Sequence, residues 1–323
     1  MAKMERLEKL EGVGNVKMVE AEIPSPGNDE VLIKVRRSLI SRGSELFRRY
    51  VMPGAIPPHM MGYSDAGDVI EIGDLVEGVV IGERSNVGGP HAQYVVGLHG
   101  NIPDGLDYEA ATFIGLATSS VMWARTTPIK PGDVVVVLGQ GIVGNLYMQA
   151  VRERLPSKVI TVDANKLRCD ISQQCGADMV VDVSKTDSVE FVMDITEGKG
   201  ADVVVECVGG NAGLKSFEQA QRMMKNDGVL HLIAKYQGAK EAGDGLLPLD
   251  SNIFMNKLLV AGIRVDGERS DHRTDAAQLL AQGKINIAPM VTHRLPWQKT
   301  AEAYHMLYNK PDEALAVILD WDS

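Results

Sequence analysis

The spacing of apolar residues along the chain changes near residue 108. Residues 15–40 alternate apolar and polar positions and are rich in β-branched side chains, which predicts strands on either side of a Pro/Gly turn. Residues 67–96 hold several short apolar runs separated by glycines, which is typical of a small β-barrel or sandwich. From about residue 108 the spacing becomes helical. The N-terminal third is therefore predicted to be β-rich.

The middle of the chain alternates continuous apolar runs with helix-like segments. Such runs are typical of parallel strands that are covered by helices on both faces of a sheet. Six strands are predicted, at 133–139, 158–163, 178–183, 201–208, 228–234 and 258–264. The tail, 266–323, has helix-like segments and a final strand at 314–321. The pattern predicts an α/β protein with a doubly wound parallel sheet beside a β-rich part.

Composition and charge narrow the class of protein. With 323 residues, 45% of them hydrophobic and 24% charged, the chain is long enough for two globular domains. A net charge of −10 argues against nucleic acid as a partner. No segment has the apolar length for a membrane span, and the N-terminus is too charged for a signal peptide. Three cysteines without metal-ligand spacing are interpreted as reduced thiols of a cytoplasmic protein: Cys169, Cys175 and Cys207.

A glycine motif follows the first of the continuous strands. Gly139, Gly141 and Gly144 form G-x-G-x-x-G, with Ile142 and Val143 between the last two glycines, directly before a helix-like segment. Such a loop brings backbone N–H groups and the positive end of a helix dipole to a pyrophosphate. The motif alone is weak, but its position between a strand and a helix supports a dinucleotide site.

The acidic residue at the end of the next strand points to the cofactor. Asp163 lies 19 residues after Gly144, where a carboxylate accepts hydrogen bonds from the ribose hydroxyls and repels a 2′-phosphate. We therefore predict NAD rather than NADP. The alternative is that Asp163 caps a helix or is only solvated. Arg168 is a candidate neighbour of the adenosine ribose. The ends of two later strands predict further contacts with the cofactor from Cys207, Val208, Ile233 and Ala234.

Motifs across nearly the whole chain resemble the medium-chain dehydrogenase/reductase superfamily, the alcohol dehydrogenase-like group. The resemblance rests on GYSDAGDVIEIG, PHAQYVV, IKPGDVVVVLGQGIVG, GADVVVECVG and the C-terminal QGKINIAPMVTHRLPWQKTAEAYHML. It implies a GroES-like catalytic domain from residues 1–120 and 266–323, a Rossmann domain from 121–265, and an active site in the cleft between them. Thr118 matches a position of the superfamily near the nicotinamide.

The zinc-ligand positions of the superfamily are occupied differently here. Arg42 stands at the position of the cysteine in C-G-[ST]-D, and Tyr63 and Ser64 replace the His and Glu of G-H-E. The third ligand position falls near Ile114 or Gly115, and the four-cysteine structural lobe is missing. Since zinc requires Cys, His or carboxylate ligands, we predict no zinc at either place. SRGSE with GYSDAG resembles a zinc-free branch of the superfamily.

Without zinc, a side chain must exchange the hydroxyl proton. Tyr63 is the first candidate, with a nearby cation lowering its pKa. Arg42 would supply that cation or orient the substrate oxygen, and Glu45 would orient Arg42 or act as a base. Alternatively, Tyr63 is packing and the two charged residues form a structural ion pair. Four polar residues are candidates for substrate hydrogen bonds or proton relay: Ser41, Ser64, His59 and His91.

Three functions are compatible with these residues. The first is a zinc-independent, NAD-dependent dehydrogenase that acts on a secondary hydroxyl of a sugar, cyclitol or other polar metabolite. The second is an enoyl or quinone reductase, although such enzymes usually prefer NADPH. The third is a nucleotide-binding protein without catalysis. Besides a small-molecule substrate, the expected partner is a second copy of the chain, paired through the apolar strand 258–264; sedimentation as a monomer at micromolar concentration would refute this homodimer.

Overall fold

The computed structural model describes residues 2–234, 247–254, 256–261 and 269–323. The chain divides into two compact units. One comprises Met1–Gly115, Ala277–Gly283 and Met290–Ser323, and the other comprises Leu116–Ala276 and Lys284–Pro289. The first division falls five residues before the predicted boundary at residue 120, and the predicted boundary at 265 and 266 lies outside the described residues.

The first unit is β-rich, as its sequence pattern predicts. Its strands are β1 (Lys3–Lys9), β2 (Val16–Glu22), β3 (Val31–Ile40), β4 (Asp65–Ile72), β5 (Arg84–Val87), β6 (Tyr94–Gly97), β13 (Val291–Pro296) and β14 (Ala316–Asp320). β1 and β2 form an antiparallel pair, and the larger sheet has the order β13-β14-β3-β4-β5, with β6 also paired to β3. β3 is the centre of this sheet because it pairs with three strands along its ten residues.

Helices of the first unit are short. They are a π-helix (Arg42–Tyr50), α1 (Tyr108–Ala111), α9 (Thr300–Asn309) and 3₁₀ turns at Pro58–Met60 and Trp297–Lys299. The π-helix begins two residues after β3 ends and packs against α9 in the same apolar core, through Leu46, Tyr50, Tyr304 and Leu307. Since α9 comes from the C-terminal tail, this core joins the two ends of the chain.

The second unit is a parallel sheet with helices between its strands. The strands are β7 (Val134–Leu138), β8 (Lys158–Asp163), β9 (Met179–Asp182), β10 (Ala201–Glu206), β11 (Met224–Leu232) and β12 (Leu258–Ala261). The order β12-β11-β10-β7-β8-β9 is that of a doubly wound dinucleotide fold, with the switch between β7 and β10. The predicted α/β fold class, with its β-rich part, is confirmed.

Among the residues that the structure describes, seven helices follow in the chain around these strands, and the last of them is divided between the two units. They are α2 (Ile114–Thr126), α3 (Ile142–Ala150), α4 (Lys166–Gln174), α5 (Ser188–Ile195), α6 (Gly213–Arg222), α7 (Ser251–Phe254) and α8 (Arg269–Ala281), with 3₁₀ turns at Val151–Arg154 and Gly210–Ala212. Strand valines and isoleucines such as Val136, Ile160 and Val204 are fully buried. No helix in the described ranges is long and apolar enough to cross a membrane.

β12 lies at the edge of the parallel sheet and pairs only with β11 among the described strands. Leu258 is 48% exposed and Leu259 is 37% exposed. The second half of the predicted strand 258–264 lies outside the described residues. Pairing of two copies through this strand stays a prediction.

A buried hydrogen-bond network crosses the core of the second unit. The Thr127 hydroxyl donates to the carbonyl of Trp123, so it accepts from Tyr147 at 2.9 Å and from Nδ1 of His231 at 2.6 Å. Nε2 of His231 has no hydrogen-bond partner among the described residues. Burial lowers the pKa of His231 to about 4. The imidazole is therefore neutral at pH 7.

The free energy of unfolding is expected to decrease as the pH falls from 6.5 to about 4. In that window the unfolded chain binds a proton at His231, whereas the folded chain does not. The difference between the two pKa values corresponds to about 3 kcal/mol, and above pH 6.5 the effect vanishes. Urea unfolding at pH 7 and pH 4.5 measures it. His231→Gln should weaken the pH dependence, and an equal pH dependence in both proteins would contradict the prediction.

Candidate active site and cofactor loop

The glycine loop is shaped by close approaches that leave no room for side chains at two of its glycines. Gly139 has a φ of +86°, and a Cβ there would lie 2.8 Å from Cγ2 of Val208. A Cβ on Gly144 would lie 1.8 Å from the carbonyl oxygen of Gly139. A Cβ on Gly141 would meet no atom within 4 Å. Gly141 therefore faces open space at the start of α3, where Ile142 and Val143 begin the helix.

The N-terminus of α3 supplies hydrogen-bond donors to this space. The N–H groups of the first helical turn have no partners within the helix, and the helix dipole makes this end partly positive. The loop sits at the switch point of the sheet, because Val208, which follows β10, contacts Gly139 of the loop after β7. An anionic group such as a pyrophosphate fits this combination of donors and space.

Asp163 ties the glycine loop to the end of β8. Its carboxylate accepts the N–H of Gln140 at 2.6 Å and the N–H of Asn165 at 2.8 Å. Nη1 of Arg168 lies 3.8 Å from Oδ2 of Asp163, as expected for a neighbour of this position. The Asp163 carboxylate thus lies beside the glycine loop, where the sequence motif predicts an acceptor for the ribose hydroxyls. The carboxylate is fixed beside the loop before any ligand binds.

The other predicted cofactor contacts lie at strand ends, apart from Thr118, which is buried within α2. The N–H groups of Ile233 and Ala234 both donate to the carbonyl of Glu206 at 3.0 Å. Burial, with the charge of Glu206 adding to it, raises the pKa of the Cys207 thiol well above its usual range. Cys207 is therefore a protonated packing residue beside the loop, as the sequence indicates.

Glu206 is a loop-shaping residue that the sequence did not single out. Its side chain is fully buried, and Oε1 accepts the N–H of Val208 and the hydroxyl of Ser216, each at 2.8 Å. These bonds fix the backbone that contacts Gly139. The sequence signal that could have identified Glu206 is an acidic residue at the end of a continuous apolar strand.

Tyr63 lies in a polar environment in the first unit. The side chains of Ser41 and Ser44 lie near its hydroxyl and act to lower its pKa. The guanidinium of Arg49 lies 6.0 Å from the centre of its ring. Burial raises the pKa of Tyr63 above its ordinary value of 10, and the charge of Glu45 raises it further. The phenol is therefore protonated at neutral pH.

This environment corrects two expectations. The pKa of Tyr63 is raised rather than lowered, because burial outweighs the nearby cation. That cation is Arg49, not Arg42, whose guanidinium lies over the ring of Phe47 at 5.3 Å. Arg49 and Ser44 were missed because the sequence does not show which side of the π-helix faces Tyr63.

Glu45 belongs to a fully buried hydrogen-bond network. Its Oε1 accepts the N–H of Ser41 at 2.7 Å, and its Oε2 accepts Nε2–H of His91 at 3.0 Å and the hydroxyl of Tyr304. Ser38 then donates to Nδ1 of His91 at 2.9 Å and accepts Nε1–H of Trp321 at 2.9 Å. With these directions, every hydrogen-bond donor in the network has one acceptor.

The network also corrects the expected roles of Glu45 and His91. Both side chains have no exposed surface, so neither can contact a substrate in this structure. The Glu45 carboxylate is bound by Ser41, His91 and Tyr304, so it does not orient Arg42. Glu45 instead accepts the N–H of Ser41, whose side chain lies near the Tyr63 hydroxyl.

The remaining predicted residues are placed separately. Ser64 is buried before β4, and its carbonyl accepts the N–H of Leu39 at 3.0 Å. His59 is exposed in the 3₁₀ turn and borders a pocket that is lined also by Arg6, Glu22 and Tyr94. The structure therefore brings together Tyr63, Ser41, Glu45 and His91.

Asp65 is a second buried carboxyl group that the sequence analysis missed. Its Oδ2 accepts the N–H of Gly89 at 3.2 Å, and its Oδ1 has no hydrogen-bond partner among the described residues. Burial raises the pKa of Asp65 well above its ordinary value, despite the Gly89 bond, and Glu45 contributes in the same direction. Burial thus favours the neutral form of the Asp65 carboxyl group.

Comparisons with known proteins agree with this geometry. Residues 143–282 match the family of zinc-binding dehydrogenases. The chain is 27% identical to L-threonine 3-dehydrogenase of Pyrococcus abyssi, over 94% of this chain and 95% of that protein. It is 28% identical to sorbitol dehydrogenase of Halalkalibacterium halodurans, over 95% of this chain and 96% of that protein.

Solved structures share the fold over the whole chain. An Escherichia coli oxidoreductase/dehydrogenase of unknown specificity has a TM-score of 0.85 at 21% identity, with 99% of each chain covered. A dehydrogenase from Sinorhizobium meliloti, solved with NADP, has a TM-score of 0.84 at 22% identity, covering 99% of this chain and 100% of that one. The chain thus resembles dehydrogenases over nearly its whole length, and it is an oxidoreductase.

Proposed function

We propose that this protein oxidises a secondary alcohol to a ketone, or reduces the ketone, with NAD and without zinc, and that Tyr63 exchanges the proton. The observation that carries the proposal is a phenol with the Ser41 and Ser44 side chains near its hydroxyl, at the position that matches the histidine ligand of zinc enzymes of the superfamily. The relatives reported above are named as dehydrogenases of threonine and of sorbitol, which supports a hydroxyl group as the reacting group.

The proton chemistry follows from the state of Tyr63. When bound, the nicotinamide exchanges a hydride with the carbinol carbon. In ketone reduction the phenol donates its proton to the carbonyl oxygen and becomes a phenolate, which recovers a proton from solvent. In alcohol oxidation the phenolate accepts the hydroxyl proton. The raised pKa of Tyr63 keeps the donor form populated at neutral pH, which favours reduction under those conditions.

The residues at the zinc-ligand positions do not fit zinc. Zn²⁺ binds thiolates, imidazoles and carboxylates, whereas Arg42 is a cation and Tyr63 and Ser64 are neutral alcohols. The nearby carboxylate of Glu45 is taken up by three donors. No group of three or more His, Cys, Asp or Glu side chains within the described residues could hold a metal ion. The proposed reaction therefore contains no step that passes through a metal.

Removal of metals is expected to leave the activity within about twofold of its original value. The test is NAD⁺ reduction with a panel of secondary alcohols, including threonine and sorbitol, before and after dialysis against a strong chelator. A parallel sample receives Zn²⁺ after dialysis. Activity that disappears on dialysis and returns with Zn²⁺ would contradict the zinc-independent reaction.

The preference for NAD rests on the fixed carboxylate of Asp163. A 2′-phosphate beside Asp163 would meet a negative charge, although Arg168 at 3.8 Å reduces the repulsion. Asp163→Asn is expected to strengthen NADPH binding by about tenfold and to weaken NADH binding several-fold. Energy transfer from tryptophan to the nicotinamide measures both affinities. Arg168→Gln is the matched control, which should weaken NADPH binding. Tighter binding of NADPH than NADH by the unaltered protein would contradict the preference.

A further inference from the structure

Two charges of opposite sign act on Tyr63. The charge of buried Glu45 raises the pKa of Tyr63, and the guanidinium of Arg49, 6.0 Å from the ring centre, lowers it. Both charges come from the same π-helix, four residues apart in the sequence. Two charged residues of one helix thus shift the pKa of the same phenol in opposite directions.

Both charged groups are held in place by the surrounding backbone and side chains. Glu45 has three hydrogen-bond donors on its carboxylate and no exposed surface. Arg49 donates to the carbonyl of Met60, which lies three residues before Tyr63. In the described part of the chain no carboxylate lies within ion-pair distance of Arg49. Within the described residues, the Glu45 carboxylate thus forms no ion pair with a lysine or arginine, and the Arg49 guanidinium forms none with a carboxylate.

Glu45 is also connected to Tyr63 through Ser41. Oε1 of Glu45 accepts the N–H of Ser41 at 2.7 Å, and the side chain of the same serine lies near the Tyr63 hydroxyl. A shift of the carboxylate would therefore move a residue that lies beside the phenol.

We propose that Glu45 and Arg49 are positioning residues for the reaction proposed above: one helix brings a buried carboxylate and a guanidinium to the surroundings of Tyr63, and so sets how readily its hydroxyl exchanges a proton. This inference rests on the proposed role of Tyr63. Among the described residues, three other groups face Glu45. His91 and Tyr304 donate hydrogen bonds to its carboxylate, and the charge of Glu45 acts on the carboxyl group of Asp65. A substitution at Arg49 leaves the charges of these three groups unchanged.

The proposal is tested by two variants with opposite expected results. Glu45→Gln keeps an acceptor for the Ser41 N–H and removes the negative charge, so the Tyr63 phenol should ionise about one pH unit lower. Arg49→Gln removes the positive charge, so the phenol should ionise about one unit higher. Arg49→Lys keeps the positive charge, so the pKa of Tyr63 should stay close to that of the unaltered protein. Arg48→Gln removes the same charge from the neighbouring residue and should change the pKa of Tyr63 little.

The ionisation of Tyr63 is measured without turnover, as tyrosinate absorbance in a pH titration of each full-length variant and of the same variant with Tyr63→Phe. Opposite shifts in the two variants support the proposal. Equal shifts, or none in either variant, overturn it. If Glu45→Gln does not fold, the comparison of Arg49→Gln with Arg49→Lys and Arg48→Gln decides the question. The proposed role of Tyr63 in the reaction is tested separately: full activity of the Tyr63→Phe variant would contradict it.

Discussion

Tyr63→Phe is expected to lower kcat in both directions by about 10²- to 10⁴-fold, because it removes the hydroxyl that exchanges the substrate proton. The affinity for NADH should not change, since the Tyr63 hydroxyl is not among the groups that are predicted to bind the cofactor. The ring itself stays, so its packing and the guanidinium of Arg49 above it should be preserved. Steady-state kinetics with the best alcohol and its ketone measure the loss.

The control for this variant is Tyr308→Phe, which removes a hydroxyl from a 40% exposed tyrosine of α9 and should leave kcat unchanged. The pH profile gives a second check. Because the pKa of Tyr63 is raised above 10, kcat for reduction should be level through neutral pH and fall only above pH 10. For oxidation, which needs the phenolate, kcat should rise toward that pH. Tyr63→Phe with unchanged kcat would refute the proton-exchange role.

Gly141→Ala is expected to weaken NADH binding by about 100-fold while the protein folds and melts as before. A Cβ at this position meets no protein atom within 4 Å, and the φ of −66° suits alanine. The methyl group would instead occupy the space in which the backbone approaches the pyrophosphate. Nucleotide titration and thermal unfolding of the same sample separate the two effects.

Gly144→Ala is the matched comparison, with a different expected result. Its Cβ would lie 1.8 Å from the carbonyl oxygen of Gly139, so α3 must move away from β7 and the protein itself should lose stability. A Gly141→Ala protein that binds NADH normally would contradict the cofactor site, whatever Gly144→Ala does. Loss of stability in Gly141→Ala would show that the space is needed for folding.

Among the functions that the sequence left open, the comparisons favour a dehydrogenase reaction. The relatives over nearly the full chain are named as dehydrogenases of threonine and of sorbitol. The polar side chains around Tyr63 agree with an enzyme rather than with a nucleotide-binding protein that has lost its catalysis.

Local sequence was enough to predict the parallel sheet and the cofactor loop. Continuous apolar strands, a glycine motif and an acid at the next strand end are contiguous signals, and the strand 158–163 was predicted with its observed bounds. The physical reason is that strand burial and helix N-termini depend on residues close together in the chain. Tyr63 was also found locally, from the departure of its motif from a zinc site.

The surroundings of Tyr63 were decided by the tertiary structure alone. Glu45 meets His91 across 46 residues and Tyr304 across 259 residues, so no local pattern predicts that its carboxylate is buried. The π-helix places Arg49 rather than Arg42 over the phenol, and the side of a short helix that faces a given residue depends on its docking against α9 and β3. Burial, which raises the pKa of Tyr63, is likewise a property of the packed unit. The sequence thus determined which chemical groups are available, and the packing of distant segments decided their charge, contacts and protonation.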